Sequence, residues 1–268
     1  MENKGIEFGL NATAFNTKHF RWTIAANAAY NKNKVLDIGG QIIEGGFGLT
    51  QRAVEGKSIG EFYGQKFIGV DPQTGDAQFL GEDGKPTTDF DAAARVTLGN
   101  SNPNWTGGLT NTFTYKNFDL SFFFMFIDGN KVYNAAGVYQ SDGFYNGFDN
   151  QTTDIMNAWQ KPGDITNVPR IGYYYATGYQ YSSRYLFDGS YIRLKNVTLS
   201  YSLPTTFVTR LHISSARLYV AGYNLLTFTK YPGDPEVNTE TIANIGGGQD
   251  FYTIPQAKTF TFGLNIKF

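Results

Sequence analysis

Long stretches of the chain alternate between apolar and polar residues with a period of two, which is typical of β-strands with one apolar and one polar face. From residue 259 to 268 every position obeys the alternation, and the apolar side holds Phe260, Phe262, Leu264, Ile266 and Phe268. The pattern predicts seven strands, at 5–16, 19–36, 104–116, 118–132, 191–203, 214–229 and 257–268. Within 191–203 the apolar phase shifts near Lys195 and Asn196, which predicts a β-bulge there.

The connections between these strands alternate between short and long. Short ones fall around Thr17 and Lys18, around Asn117 and at 204–213, and long ones at 37–103, 133–190 and 230–256. Outer-membrane barrels have short periplasmic turns and long extracellular loops. A tilted strand of about 12 residues covers roughly 28 Å, which matches the apolar band of a bilayer. The pattern therefore predicts an all-β fold, an antiparallel transmembrane β-barrel segment with long extracellular loops.

In such a segment the apolar faces contact lipid and the Thr, Asn and Gly faces line the lumen. The residues that we predict to face lipid are Phe118, Phe122, Phe124, Phe260, Phe262 and Leu264. Aromatic residues near strand ends are expected to form interface girdles, and these are Trp22, Tyr30, Trp105, Tyr115 and Tyr201. Seven strands are an odd number, whereas a closed single-chain bacterial barrel has an even count. We therefore expect residues 1–268 to be the C-terminal part of a larger barrel.

The amino-acid composition excludes several classes of function and structure. Charged residues make up 17% of the chain, against roughly 25% in soluble domains, while aromatic residues reach 16%. A net charge of −1 gives no basic face for nucleic acid, and the absence of cysteine excludes disulfides and thiolate metal sites. No apolar run approaches the roughly 20 residues of a membrane-spanning helix, and the first residues show no signal-peptide pattern.

Several unusual stretches occur together and cover nearly the whole chain. They are GKSIGEFYGQKFIGVDPQTGDAQF (56–79), LGNSNPNWTGGLTNTFTYKNFDLSFFF (98–124), NAWQKPGDITNVPR (157–170), SSRYLFDGSYIRLKNVTLSYSLP (182–204), ARLYVAGYNLLTFTKYPGDPEV (216–237) and PQAKTFTFGLNIKF (255–268). In these stretches the chain resembles the C-terminal part of the SusC/RagA family of TonB-linked outer-membrane transporters.

The resemblance implies a barrel of about 22 strands with an N-terminal plug, a TonB box and a signal peptide, and we expect all three to be absent from residues 1–268. It also implies a SusD-like surface lipoprotein as partner, TonB-driven uptake of an oligosaccharide or a peptide, and no cofactor. The terminal Phe268 is similar to the signal that the barrel assembly machinery reads. One departure is the stretch GEDGKPTTDFDAAAR (81–95), which lacks the regular aspartate spacing of many relatives and so weakens the case for loop calcium.

Other chemical patterns are weaker. Gly56 to Gly60 matches the G-x-S-x-G pattern of a hydrolase nucleophile, with Ser58 as nucleophile and His212 as base, but no helical period follows it. Only His19 and His212 are present as imidazole ligands, and a solvated acidic loop is the favoured interpretation of Glu82, Asp83, Asp89 and Asp91. The sequence therefore predicts no enzyme and no metal site.

The loop 133–190 is rich in aromatic residues, whose faces stack on sugars or peptide side chains. We predict substrate contacts there from Tyr139, Tyr145, Trp159, Tyr173 and Tyr175, the alternative being that these rings pack the loop on itself or against the lipoprotein. Two rival functions stay open. A soluble all-β carbohydrate-binding module would have strands of about five or six residues and mixed loop lengths, and a small-barrel outer-membrane enzyme would need an even strand count and a catalytic cluster at its rim.

Overall fold

The computed structural model describes residues 1–143, 149–172, 180–210, 212–236 and 245–268. Its main feature is one antiparallel sheet of seven strands in chain order, each paired with the next. The strands run from nine to 15 residues, and we name them β1 (Glu2–Asn16), β2 (Phe20–Lys34), β3 (Trp105–Tyr115), β4 (Phe118–Asp128), β5 (Tyr191–Ser202), β6 (Ser215–Thr229) and β7 (Thr259–Lys267).

All seven predicted strands are confirmed, and their ends differ from the predicted ones by at most four residues. The first strand begins at Glu2 and not at residue 5. The strand predicted at 118–132 ends at Asp128, because Gly129 has a φ of 87° that breaks the extended conformation. Lys131–Asn134 is a separate strand in another sheet. The predicted bulge is also confirmed, since Lys195 has no partner where Leu194 and Asn196 pair with the neighbouring strands.

The registers carry one apolar row across the whole sheet. Because each residue lies opposite its partner in the next strand, side chains of one row share a face. One such row consists of Phe15, Trp22, Phe113, Leu120, Leu199, Val220 and Phe262. A nearby row on the opposite face consists of Thr13, Thr23, Thr112, Ser121, Thr198, Ala221 and Thr261. The sheet therefore has one apolar and one hydroxyl-rich face.

The apolar face is not buried against any part of the chain that the structure describes. Phe260 is 64% exposed and Phe262 80% exposed. The main buried cluster lies elsewhere, in the long connections, where Phe62 and Tyr133 are wholly buried. This distribution is the reverse of a soluble sandwich, in which the inner sheet faces form the core.

Aromatic rings line both ends of the apolar face. Near the short turns, Trp22 stacks on Phe113 with ring centroids 5.4 Å apart, and at the other end Tyr30 contacts Trp105 at 5.1 Å. Eight residues separate Trp22 from Tyr30, or about 26 Å along the strand, which a tilt of about 40° reduces to about 20 Å along a membrane normal. The spacing is comparable with the interval between aromatic girdles in outer-membrane barrels.

Three long connections follow β2, β4 and β6 at the same end of the sheet, and we call them L1 (35–104), L2 (129–190) and L3 (230–258). They contain three small sheets, formed by Ile43–Gly45, Gln51–Ala53, Glu61–Gln65 and Arg95–Asn100, by Phe67–Val70, Ala77–Leu80 and Pro86–Thr87, and by Leu186–Asp188, Lys131–Asn134 and Gln249–Asp250. L2 also holds a short helix, Gly137–Gln140, and 3₁₀ turns at Thr153–Asn157 and Ser183–Tyr185.

The opposite end of the sheet has the short connections. Residues 17–19 join β1 to β2, residues 116 and 117 join β3 to β4, and the link from β5 to β6 contains the helix Thr205–Arg210. Within the described ranges no helix is long and apolar enough to cross a membrane.

Candidate ligand-binding site

The long connections are tied together by a buried pair of glutamines. Nε2 of Gln249 donates to Oε1 of Gln51 at 2.7 Å, and Nε2 of Gln51 donates to the carbonyl oxygen of Gly247 at 2.8 Å. The backbone N–H of Phe47 completes the group by donating to Oε1 of Gln249. Both glutamines are wholly buried, and the nitrogen and the oxygen of each side-chain amide form hydrogen bonds. The pair therefore stabilises the protein, whereas a buried amide without a partner would destabilise it. This pair fixes L3 against L1.

A hydrophobic cluster fixes L2 against L1 in the same way. Leu49 and Phe62 from L1 pack on Tyr133, Val138 and Tyr185 from L2. Burial raises the pKa of Tyr133 well above its ordinary value, so this phenol stays neutral. Tyr133 belongs to the aromatic loop that was predicted to contact substrate, yet its ring is wholly buried and therefore has a structural role.

Next to this cluster is an open cavity of about 520 Å³. Its lining residues are Gly48, Leu49, Thr50, Tyr63, Gly64, Gln65, Phe90, Arg95, Val138, Tyr139, Gln180 and Tyr181. Leu49 and Val138 are almost completely buried, at 2% and 5% exposure, and contribute little of the accessible wall. The surface that a ligand would meet is therefore mostly aromatic and polar.

Tyr63 lies between two arginines at the L1 side of the cavity. The guanidinium carbon of Arg52 is 3.4 Å from the centre of the Tyr63 ring, and that of Arg95 is 4.9 Å away. Arg52 is also paired with Glu61 through an Nε–Oε2 contact of 3.4 Å. Arg95 donates from Nη2 to the Thr50 hydroxyl at 3.1 Å and has no carboxylate within salt-bridge distance among the described residues. Arg95 is therefore a positive charge held in place by neutral groups.

Tyr139 and Tyr181 form the L2 side. Their hydroxyl oxygens are 2.8 Å apart, which is hydrogen-bonding distance. Burial, and then the hydrogen bond and charge interaction with Tyr139, raise the pKa of Tyr181 to about 12, so the Tyr181 phenol is uncharged at neutral pH. Gly48 has a φ of 82° and lies against the Tyr181 ring, where a Cβ would come within 3.0 Å. Only glycine suits that position, and it lets the L1 backbone support the ring.

The predicted substrate-binding residues have different positions. Tyr139 lines the cavity, whereas Trp159 packs on a turn of L1, where its indole N–H donates to the carbonyl oxygen of Pro72 at 3.0 Å. A Cβ on Gly75 would come 2.4 Å from the Trp159 ring, so the turn and the ring are in close contact. Tyr145, Tyr173 and Tyr175 lie outside the described residues. Of the five predicted residues, Tyr139 alone is placed at the cavity by the described part of the chain.

Sequence reasoning did not single out Tyr63, Arg95 or Tyr181. Tyr63 and Arg95 lie in paired short strands, Glu61–Gln65 and Arg95–Asn100, which are too brief to give a clear periodic signal. Tyr181 comes from L2, 118 positions after Tyr63, and nothing in the sequence indicates that the two are close.

A charge network attaches the first part of L3 to the hydroxyl-rich face of the sheet. Arg193 of β5 is 2% exposed and donates to the carboxylates of Asp234 and Glu236, and its Nε donates to the Thr227 hydroxyl at 2.9 Å. Lys195, the bulged residue, donates to Oε1 of Glu236 at 2.7 Å. Burial alone would raise the pKa of Asp234, but hydrogen bonds from Arg193 and from backbone N–H groups outweigh it and lower that pKa.

The remaining chemical patterns do not form a catalytic centre. Ser58 contacts Asn33 at the loop end of β2, whereas His212 lies in the connection between β5 and β6 at the other end of the sheet. The strand Glu61–Gln65 follows the G-x-S-x-G pattern in place of a helix. Among the described residues there is no group of three or more His, Asp or Glu side chains that could hold a metal ion. Asp83 and Asp89 accept hydrogen bonds from their own turns.

The predicted lipid-facing residues share the apolar face. Phe118, Phe260, Phe262 and Leu264 are exposed, while Phe122 and Phe124 are half-buried by contacts with neighbouring rings. Phe268 follows β7 directly and is 89% exposed. Contact with lipid and a role in assembly stay predictions for these residues.

Comparison with known proteins agrees with the geometry. No protein-family model matches the chain. TonB-dependent receptor P3 of Formosa agariphila is 36% identical over all of the chain, and TonB-dependent receptor P26 of the same organism is 33% identical. TonB-dependent receptor SusC of Bacteroides thetaiotaomicron is 27% identical, again over the whole chain. These matches confirm the predicted resemblance to the SusC/RagA family of TonB-dependent receptors.

A solved structure supports the resemblance to the SusC/RagA family. The structure of the RagAB peptide transporter superposes on 99% of the chain with a TM-score of 0.84 at 26% identity. The proteins named here are receptors and transporters, in agreement with the prediction that this SusC/RagA segment is not an enzyme. The chain spans 29% of the length of receptor P3 and 29% of the matched RagAB chain.

Proposed function

We propose that the chain forms part of the wall and the extracellular loops of an outer-membrane, TonB-dependent transporter that takes up an oligosaccharide or a peptide. The observation that carries the proposal is the seven-strand sheet with one exposed apolar face and one hydroxyl-rich face. Such a sheet is stable where lipid covers the first face and an aqueous lumen the second. The family relationship supports the transport function.

The two outer strands support the proposal that residues 1–268 are the C-terminal part of a larger barrel. β1 and β7 each pair with one strand only among the described residues. Their free edges carry unpaired N–H and C=O groups, each of which costs several kcal/mol in hydrocarbon. Further strands of the same transporter would pair with both edges and close the barrel. The resemblance to the SusC/RagA family implies that the complete transporter has a plug, and the TonB system would act through that plug.

The loop region is the proposed site of ligand and partner contact. L1, L2 and L3 lie at one end of the sheet and are fixed to one another by the buried glutamines and the hydrophobic cluster. We propose that a SusD-like surface lipoprotein closes over this end and that the cavity between Tyr63 and Tyr139 contacts the ligand. The exposed Phe268 is the proposed signal for the barrel assembly machinery.

Uptake in the native cell tests this function. The complete transporter, tagged and expressed from its own locus, is expected in the outer-membrane fraction together with a lipoprotein partner. Uptake of fluorescent oligosaccharide and peptide pools is expected to require the gene, and to stop when TonB is deleted. Recovery of the tagged protein in the soluble fraction, or uptake that is unchanged by deletion of the gene, would contradict the proposal.

A further inference from the structure

The charge of the loop cavity is unbalanced. Among the described residues, its lining includes one arginine, Arg95, and no Asp or Glu side chain. The other arginine at Tyr63, Arg52, already has Glu61 as its partner, and the side chains of that pair are 15% and 8% exposed. Arg95 is exposed and donates a hydrogen bond to Thr50, and its other guanidinium donors have no hydrogen-bond partner in the part of the chain that the structure describes, so an incoming group can reach them. Electrostatics therefore favours an anionic ligand.

Arg95 is also held in position before any ligand arrives. Its guanidinium lies 4.9 Å from the centre of the Tyr63 ring and hydrogen-bonds to Thr50. The strand that carries Arg95 pairs with the strand of Tyr63, with Gln65 directly opposite Arg95. A guanidinium fixed in this way loses little side-chain entropy on binding and can present two parallel N–H groups to a carboxylate or a sulfate.

The rest of the accessible wall suits sugar rings. Tyr139 and Tyr181 offer ring faces that can stack on the apolar face of a pyranose, whereas the Tyr63 ring already packs against the guanidinium groups of Arg52 and Arg95. Thr50 and Gln65 bring a hydroxyl and an amide group to the same cavity, and such groups pair with sugar hydroxyls. The nearest aliphatic side chains, Leu49 and Val138, are buried and so offer little apolar surface to a peptide side chain.

We propose that this cavity binds an acidic oligosaccharide, with a carboxylate or sulfate group on Arg95 and a sugar ring against the tyrosines. The inference rests on the proposed transport function and adds to it the chemical class of the substrate. It also makes Arg95 the residue that determines specificity for charge, while the tyrosines contribute affinity that does not depend on charge.

Binding to the purified complete transporter tests the inference. The ligands are hexasaccharides in two arms, acidic ones (oligogalacturonate, oligoalginate and chondroitin sulfate) and neutral ones (maltohexaose, xylohexaose and laminarihexaose), with hexaglutamate as a peptide probe. At least one acidic saccharide is expected to bind at least tenfold more tightly than every neutral one and than hexaglutamate. The carboxylate and sulfate probes then distinguish which anion Arg95 prefers.

Three variants identify the residue responsible. Arg95→Gln is expected to weaken acidic-saccharide binding at least tenfold, and Arg95→Lys, which keeps the charge but not the paired N–H groups, by a smaller factor. Lys57→Gln is the matched control, because Lys57 is an exposed cation of L1 outside the cavity and its loss changes the net charge equally. Circular dichroism of each variant reports whether the fold is kept.

Several results would overturn the inference. They are equal affinity for acidic and neutral saccharides, tighter binding of hexaglutamate, binding of none of the probes, and an Arg95→Gln variant that binds as well as the Lys57→Gln control. None of them affects the proposed transport function, which is measured separately by outer-membrane location and by TonB-dependent uptake in cells.

Discussion

The indole N–H of Trp22 donates a hydrogen bond to Oδ1 of Asn111 across two neighbouring strands, at 3.0 Å. Asn111 is the one residue that interrupts the apolar face of β3, and it is 8% exposed. The bond explains the interruption, because a carboxamide on a lipid-facing surface is costly unless it has a partner. Trp22 therefore satisfies the amide oxygen, while its ring stacks on Phe113 in the apolar face.

Removing one partner of this hydrogen bond is expected to destabilise the protein, and removing both partners is expected to destabilise it much less. Trp22→Phe leaves the amide oxygen unpaired and should lower the stability of the complete transporter by about 1–3 kcal/mol. The double variant Trp22→Phe with Asn111→Leu should recover most of that loss. The midpoint of heat-induced unfolding, followed on gels, measures the stability of the single and the double variant. A double variant that is less stable than Trp22→Phe would contradict the explanation.

Arg193 is expected to hold L3 on the sheet. Arg193→Met leaves the buried Asp234 carboxylate without its cationic partner and leaves Glu236 with Lys195 alone, and breaking a buried pair of this kind costs about 3–5 kcal/mol. Limited proteolysis should cut the variant near residues 230–236 at neutral pH. Arg217→Met is the matched control, because Arg217 occupies the same face of the sheet but, among the described residues, donates to Ser200 alone, far from L3. Equal cleavage of the two variants would show that the network does not fix L3.

The same network predicts a response to acid. The pKa of Asp234 lies below its ordinary value of 3.8 in the folded protein. The stability that the Asp234 carboxylate gives to the folded protein is therefore complete at pH values above 3.8 and is lost as the pH falls through the lowered pKa. Hydrogen exchange of 230–236, corrected for intrinsic rates, should be protected at pH 7 and pH 5 and lose protection below pH 3.8. Asp234→Asn should remove this step, and protection that persists at pH 2 in the unmodified chain would contradict the account.

The sequence was sufficient to predict the seven-strand sheet, because the alternation of apolar and polar residues can be recognised in each strand separately. Phe260, Phe262 and Leu264 could be assigned to one face without knowledge of the fold, and the phase shift at Lys195 located the bulge. The cavity is different, because Tyr63, Arg95, Tyr139 and Tyr181 come together only when L1 and L2 pack against each other. Trp159 shows the same limit, since no local pattern indicates that its partner is the turn at Gly75.

That turn gives a matched pair of glycine substitutions. Gly75 and Gly84 have φ values of 75° and 79°, so alanine strains the backbone equally at both. A Cβ at Gly75 would also collide with Trp159, whereas at Gly84 it would meet nothing within 4 Å. Gly75→Ala is therefore expected to displace the indole and shift its fluorescence to the red, and Gly84→Ala to leave the spectrum unchanged. Identical spectra for the two variants would refute the contact.

The central claim is that the apolar face of the sheet contacts lipid, and spin labels on adjacent residues test it most directly. The chain has no cysteine, so Phe262→Cys and Thr261→Cys place single labels on opposite faces of β7 in the complete transporter, reconstituted in bilayers after removal of any other cysteine. The label at 262 is predicted to be accessible to oxygen and protected from a water-soluble nickel complex, and the label at 261 to show the reverse preference. A label at 262 that is protected from both reagents, or more accessible to nickel than the label at 261, would contradict the account.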